Sequence, residues 1–359
     1  KLSQAKIQPR YSVKAQKVEG ILSYDSDNAY PQRVFNVIST SGVGSTCVKT
    51  YAKYIIGKGF NEPLKSLIVN RSKQTADSLL RLISKDLALY GGFSIHLNFN
   101  LLGQITELNY LPFEYCRLTI PESEYDGRIA VHDDWDKKKW KQFRKSDIKY
   151  IDTFNPDSKE ILRQIELSGG ISDYKGQILY FSTEENSYPL AQYDSRLEDI
   201  ETDGRIANFK RKIVATKFNS DLAVITGKFE SEEERQRFMS SLSDHMGDDN
   251  AGNVMHLEIE TEADKPTFTP IPRIDSDKVY QYTEISVQDN IRQVFGIPSV
   301  LIGKETAGKL GQTQEIADAM RLYSQHTSEE RDILSQTFKK IFQYWSQPVQ
   351  SDFLIIPLV

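Results

Sequence analysis

The segment Gly303-Lys304-Glu305-Thr306-Ala307-Gly308-Lys309 has the glycine and lysine spacing of a phosphate-cradling loop, and it lies between an apolar stretch and a helical pattern. Such a loop holds phosphates on backbone N–H groups and the lysine, and a Ser or Thr hydroxyl in the next position binds Mg²⁺. That next position is Leu310, and no later run of four apolar residues ends in Asp. Three readings remain: a mobile loop, an ordinary loop, and a nucleotide-binding enzyme built on Gly303–Lys309. The five histidines, His96, His132, His245, His256 and His326, include no i, i+4 pair and no partner at metal-ligand spacing. No catalytic centre, metal or cofactor is therefore expected. Cys47 and Cys116 form no CxxC pair, which reads as two thiols in a reducing compartment, with one disulfide as the other reading. Asp133, Asp134 and Asp136 precede Lys137-Lys138-Lys139-Trp140-Lys141. This is a solvated outer loop, or else a carboxylate cluster beside a basic, aromatic patch.

The totals exclude some classes of protein. With 359 residues, 39% hydrophobic and 26% charged, the chain can fold into two or three domains. A net charge of −5, from 45 basic against 50 acidic residues, gives no global grip on nucleic acid phosphates. No apolar run reaches the ~20 residues that cross a bilayer, so no membrane partner is expected. The start, Lys1-Leu2-Ser3-Gln4, has no following apolar h-region and no methionine, and reads as a trimmed terminus without a signal peptide.

The elements that would position these residues follow from periodicity. Residues 1–30 read as a polar arm without an overall pattern. Pro31 suits the first turn of a helix carrying Val34, Phe35 and Ile38. Gly42 and Gly44 interrupt it before Val48, Tyr51, Ala52 and Ile55 resume the spacing. A helix over 73–90 has Ala76, Leu79, Leu80, Ile83 and Leu87 on one face. From Phe93 to Leu101 apolar and polar residues alternate, predicting a strand with five apolar side chains on one face. Ile105 to Leu111 returns as its partner, and Tyr115–Ile120 and Ile178–Phe181 are further strands. The charged stretch 121–160, with Trp135 and Trp140, reads as surface strands around a variable loop. A helix of ~30 residues is predicted from Pro189 to Phe218. A small β-α-β-β unit then comprises Leu222–Phe229, a helix opened by the capping box Ser231-Glu232-Glu233-Glu234, Val254–Ile259 and Thr267–Ile271. A second long helix covers 276–295, broken by Gly296-Ile297-Pro298. A third is expected as one piece from Thr313 to Trp345, and Asp352–Val359 as a closing strand.

Three phrases in this order resemble the portal proteins of tailed bacteriophages, over nearly the whole chain. They are Val48-Lys49-Thr50-Tyr51-Ala52-Lys53-Tyr54-Ile55-Ile56-Gly57 with Gly59-Phe60, Leu89-Tyr90-Gly91-Gly92-Phe93-Ser94-Ile95-His96-Leu97 continued by Gly103-Gln104-Ile105-Thr106-Glu107-Leu108, and Ile291-Arg292-Gln293-Val294-Phe295-Gly296-Ile297-Pro298-Ser299-Val300-Leu301-Ile302-Gly303. Gly92-Phe93 departs from the family's usual Gly-Asn. The resemblance implies an α+β portal-like fold in six parts. These are a wing (1–187), stem helix 1 (188–218), a small inserted α+β clip (219–274), stem helix 2 (275–296), a tunnel loop (297–311), and a long wing helix with closing strand (312–359). It also implies a structural, non-enzymatic role: a homo-oligomeric ring of ~12 subunits that conducts double-stranded DNA. That ring would sit at the capsid vertex of a virion after assembly in the host cytoplasm. Its partners would be the terminase large subunit, a head-completion or adaptor protein and the major capsid protein. The family often continues into a crown, and the end at Val359 leaves that crown short, absent or outside this chain. Gly303, Lys304, Glu305, Gly308, Lys309 and Gly311 would then face DNA. Lys210, Arg211 and Lys212 would make ion pairs between subunits or a positive spot along the channel. Glu232, Glu233, Asp244, Asp248 and Asp249 would form an acidic clip surface for docking.

Overall fold

The structure, a computed structural model, describes residues 20–135, 147–184, 187–215, 222–227, 229, 231–246, 254–259, 276–302 and 313–358. It is an α+β protein that divides into two compact units, residues 1–201 with 288–359, and residues 202–287.

The larger unit opens with α1 (Tyr30–Thr40) and α2 (Gly42–Ile56), followed by β1 (Gly59–Phe60) and α3 (Ala76–Tyr90). Pro31 sits in the first turn of α1, where its missing N–H costs nothing. Gly42 and Gly44 begin a helix instead of interrupting one, because the Ser41 hydroxyl accepts the Gly44 N–H at 2.8 Å and caps α2. Thr75 caps α3 in the same way, and Gly91, with φ of 75°, ends it.

The strands β2 (Gly92–Phe99), β3 (Ile105–Leu111), β4 (Cys116–Leu118), β5 (Arg128–Val131), β6 (Lys149–Thr153) and β7 (Gln177–Ser182) form a sheet in the order β3-β2-β7-β6-β5-β4. Only β6 and β7 run parallel. Phe93, Ile95, Leu97 and Phe99 are buried as the alternation predicts, but Leu101 lies in the turn and is exposed. Helix α3 lies against β2 and β3. The expected surface character of 121–160 is wrong at Trp135, which is fully buried; its indole donates to the Tyr115 carbonyl at 2.9 Å. Arg117 covers its ring, and burying so large an aromatic outweighs the charged sequence around it. At the end of that stretch begins an unexpected helix, α4 (Ser158–Leu167), capped by Asp157.

The helix expected from Pro189 starts later, as α5 (Leu197–Ala215). Residues before it are held outside a helix by side chains. The Tyr30 hydroxyl accepts the Ala191 N–H, and the Tyr193 hydroxyl donates to the Leu89 carbonyl at 2.7 Å. In the smaller unit β8 (Leu222–Gly227) pairs in parallel with β9 (Val254–Ile259), and α6 (Glu232–Met246) joins them. Ser231 caps α6 by accepting the Glu234 N–H at 3.2 Å, and Phe229 packs on Phe238 at 5.4 Å. The expected strand Thr267–Ile271 lies outside the described residues. The chain returns through α7 (Ser276–Val294) to the larger unit.

The helix expected from Thr313 to Trp345 is two helices, α8 (Thr313–His326) and α9 (Ser328–Phe342). Two side chains fill the break: the Arg331 guanidinium donates to the Tyr54 carbonyl at 2.9 Å, to the Thr327 hydroxyl at 2.7 Å, and to the Ser324 carbonyl, and the Thr327 hydroxyl donates to the Tyr323 and Ser324 carbonyls at 3.3 Å. A side chain thus occupies a carbonyl that the helix ladder would otherwise use. Finally β10 (Ile355–Ile356) pairs with β1, and among the described residues this pair is all that forms of the expected closing strand.

Candidate channel and assembly surfaces

The residues singled out for DNA contact and docking fall on three places. The first is the loop after α7. Gly303, Lys304, Glu305, Gly308, Lys309 and Gly311 lie outside the described residues, and the peptide Phe295–Ile302 leads into them. Phe295, fully buried, is stacked on Tyr193 at 4.9 Å and meets the edge of Tyr51 at 6.2 Å. The Tyr323 hydroxyl donates to the Phe295 carbonyl at 3.2 Å. Burial raises the hydroxyl pKa of all three tyrosines, and Glu330 beside Tyr51 raises it further. They therefore stay neutral hydrogen-bond donors at any physiological pH. Gly296 then takes φ of 61°, and a Cβ there would stand 3.2 Å from the His326 imidazole. Ile297 is buried and Ser299–Ile302 forms one 3₁₀ turn. In the phrase Phe295-Gly296-Ile297-Pro298, then, a plug is followed by a left-handed turn, and the outgoing chain is fixed in direction.

That plug rests on a polar joint that sequence reasoning missed. The Tyr51 hydroxyl donates to Glu330 Oε1 at 2.5 Å, while Glu330 Oε2, the Ser324 hydroxyl and Arg292 Nε are buried without a partner among the described residues. Arg331 crosses the joint as described. The only signal was a charged pair inside an otherwise periodic stripe, which ordinarily marks a solvated face.

The second place is the helix pair of the smaller unit. Lys210 on α5 makes an ion pair with Glu284 on α7 within the same chain. Arg211 is exposed, and the side chain of Lys212 lies outside what is described. Beside this pair large apolar side chains face outward: Phe209 is 43% exposed, Tyr282 74% and Ile285 57%. In the larger unit, Ile316 and Leu322 on α8 are also exposed. The third place is α6, where Glu232 and Glu233 are exposed and make ion pairs with Arg235 and Arg237 one turn on. The Asp244 side chain, Asp248 and Asp249 lie outside what is described. Among the described residues no cluster could hold a metal ion, and no helix is long and apolar enough to cross a membrane. His96, on the polar side of β2, pairs with the Lys175 carbonyl at 2.7 Å.

No family model and no curated protein matches the chain. Solved structures do. One is a chain of the virion of a native gene transfer agent particle, with a TM-score of 0.52 and 14% identity over 88% of this chain and 82% of that one. A chain from the neck of a native particle, computed with C12 symmetry, gives 0.51 and 15% over 88% and 82%. A chain from the neck of an empty particle, computed with C6 symmetry, gives 0.52 and 13% over 87% and 81%. The fold is shared with gene transfer agent particle chains. At such identity the shared property is the fold, and the roles of individual residues have to be argued from their own chemistry.

Proposed function

We propose that the chain is a portal subunit, a structural protein whose ring gives double-stranded DNA its passage into and out of a phage-type capsid. The observation that supports this most is the fold shared with chains of gene transfer agent particles, two of them from necks treated with twelvefold or sixfold symmetry. A closed ring of one chain needs a heterologous contact, with two different faces of each copy meeting. The outward apolar side chains of Phe209, Tyr282, Ile285, Ile316 and Leu322 are suited to such contacts, since soluble monomers rarely leave large apolar side chains in groups.

In this reading the mechanism is passive. Helices α5 and α7 of many copies line the channel, and 303–311 sets its narrowest point. The acidic α6 docks the terminase large subunit and later a head-completion or adaptor protein, while the wing meets the major capsid protein. Each phosphate contact retained would resist sliding, so weak binding is a requirement. Lys210 engaged by Glu284 and an overall charge of −5 both fit that requirement. Negative-stain imaging and native mass spectrometry of the purified protein test the reading. Rings of ~12 copies with a central hole are expected; a monodisperse monomer at tens of micromolar, or a compact dimer, overturns it.

A further inference from the structure

The pentapeptide Asp-Gly-Arg-Ile-Ala occurs twice in the chain, at 126–130 and at 203–207. Asp-Gly is a reactive pair. Glycine has no Cβ to shield its amide nitrogen, so that nitrogen can approach the carboxyl carbon of the aspartate before it, at the high effective concentration of an intramolecular partner. The local sequence is the same at both places. Any difference in reactivity between them therefore belongs to the fold.

The two copies adopt different backbones. Asp203 and Gly204 lie inside α5 and are both buried. There the glycine N–H belongs to the helix ladder, and the helix has to open before that nitrogen can turn. Asp126 and Gly127 are instead the exposed central residues of the turn Tyr125–Arg128, closed by the Arg128 N–H on the Tyr125 carbonyl at 3.1 Å. Gly127 takes φ of 75°, and a Cβ there would meet nothing within 4 Å. Its N–H has no acceptor among the described residues. The Asp126 carboxylate accepts the Glu122 N–H at 2.9 Å and has no ion-pair partner among them, since Arg128 is taken by Asp152 at 3.1 Å. Both ends of the turn are held. The Tyr125 ring stacks on Tyr150 at 3.9 Å, and the Gly127 carbonyl accepts the Thr153 N–H at 2.9 Å.

We propose that Asp126 is a modification site, at which the native fold lets aspartate convert to isoaspartate while it spares Asp203. The Gly127 nitrogen attacks Cγ of the protonated Asp126 carboxyl. A C–N bond forms, and the amide proton leaves with the carboxyl hydroxyl as water, closing a succinimide ring. Water then adds back at either carbonyl. Opening at Cγ restores aspartate. Opening at the Asp126 main-chain carbonyl leaves the chain running through Cγ, with the freed carboxylate as the new side group. Composition and charge are unchanged, and water is the sole co-reactant. The product has an extra backbone atom in the turn, so the bonds that hold the Thr153 and Glu122 N–H groups are strained or lost. This site stands apart from the ring reading: it needs no ring, and a ring needs no conversion here.

Peptide mapping tests it. The purified full chain is held for weeks at physiological temperature, either native or in urea, and is then cut with trypsin. Cleavage after Arg117 and Arg128 frees 118–128, and cleavage after Arg196 and Arg205 frees 197–205, so each Asp-Gly reports separately. An isoaspartyl peptide keeps its mass, elutes apart from its parent and accepts a methyl group from an isoaspartyl methyltransferase. In the native chain 118–128 should convert at least about tenfold faster than 197–205, because the turn and not the helix lets nitrogen reach the carboxyl carbon. In urea the two rates should come together. Gly127→Ala, which puts a methyl group into open space, should slow conversion at Asp126 by about tenfold, and Asp126→Glu should abolish it. A smaller separation between the two native peptides, or a Gly127→Ala rate equal to that of the native protein, overturns the site and leaves the ring reading untouched.

Discussion

Single residues in this chain are constrained mostly by close approach and burial. Gly59 has φ of 83°, and a Cβ there would lie against the Asp77 carboxylate. That carboxylate accepts the Phe60 N–H at 3.1 Å and pairs with Arg81 at 2.9 Å. Gly59→Ala should therefore cost about 3 kcal/mol or more, from the left-handed backbone plus a displaced buried group. Gly127, with φ of 75° and nothing within 4 Å of its Cβ position, isolates the backbone contribution; Gly127→Ala should cost only about 1 kcal/mol. Urea unfolding midpoints of the two variants make the comparison, and equal losses would contradict it. Asp86 is the titrating residue. Burial pushes its carboxyl up to about 7, although the Phe113 N–H and the Tyr110 hydroxyl donate to it. The folded state therefore holds this proton more tightly than the unfolded state. Stability linked to Asp86 is complete below about pH 4 and is lost as pH rises through 7. The urea midpoint of the native protein should fall between about pH 4 and 7 relative to that of Asp86→Asn, and parallel pH profiles would refute the assignment.

Elements were legible in the sequence where one pattern decided them. β2, β3 and α3 stand close to where alternation or 3-4 spacing put them, because each buries one face against a neighbour in the same stretch of chain, and α7 stands where its spacing put it although Tyr282 and Ile285 of that stripe face outward. Failures have long-range causes. At the break by Thr327, local bonds from the Thr327 hydroxyl to the Tyr323 and Ser324 carbonyls are joined by one that no pattern announces, Arg331 to the Tyr54 carbonyl 277 residues away. Trp135 looked exposed because its partners, Tyr115 and Arg117, precede a charged loop. The candidate site was legible in one respect, the phrase around Phe295, and illegible in the joint beneath it. The joint itself is testable. Arg331→Met leaves the Tyr54 and Ser324 carbonyls without this donor and should cost about 3 kcal/mol. It should also lengthen the continuous helix, visible as new amide protection at Ser328 in hydrogen exchange. Unchanged protection there would show that Arg331 follows the break and does not make it.

At the scale of the molecule, outward apolar groups and a mild negative charge matter more than any single contact. Tyr282→Ser with Ile285→Ser removes exposed apolar area only, so the thermal midpoint of the subunit should move little while assembly is lost in mass photometry. Retained assembly would put the copy-to-copy contact elsewhere. Lys304→Ala with Lys309→Ala should leave assembly intact and alter DNA packaging or retention in a salt-dependent way. No packaging phenotype would sink the channel-facing reading of that loop alone. The pairing of β10 with β1 has a consequence for synthesis. Gly59 and Phe60 emerge from the ribosome early, and their partners Ile356 and Ile355 roughly 300 residues later, an interval on the order of tens of seconds at cellular elongation rates. During that interval the smaller unit is completed while the larger one still lacks residues 288–359, including α8, α9 and the edge partner of β1. The aromatic faces of Tyr54 and Phe60 stay open for most of it, until Tyr323 and Phe338, which cover them, are made. A nascent chain of this design offers these faces to chaperones until the residues that cover them are made.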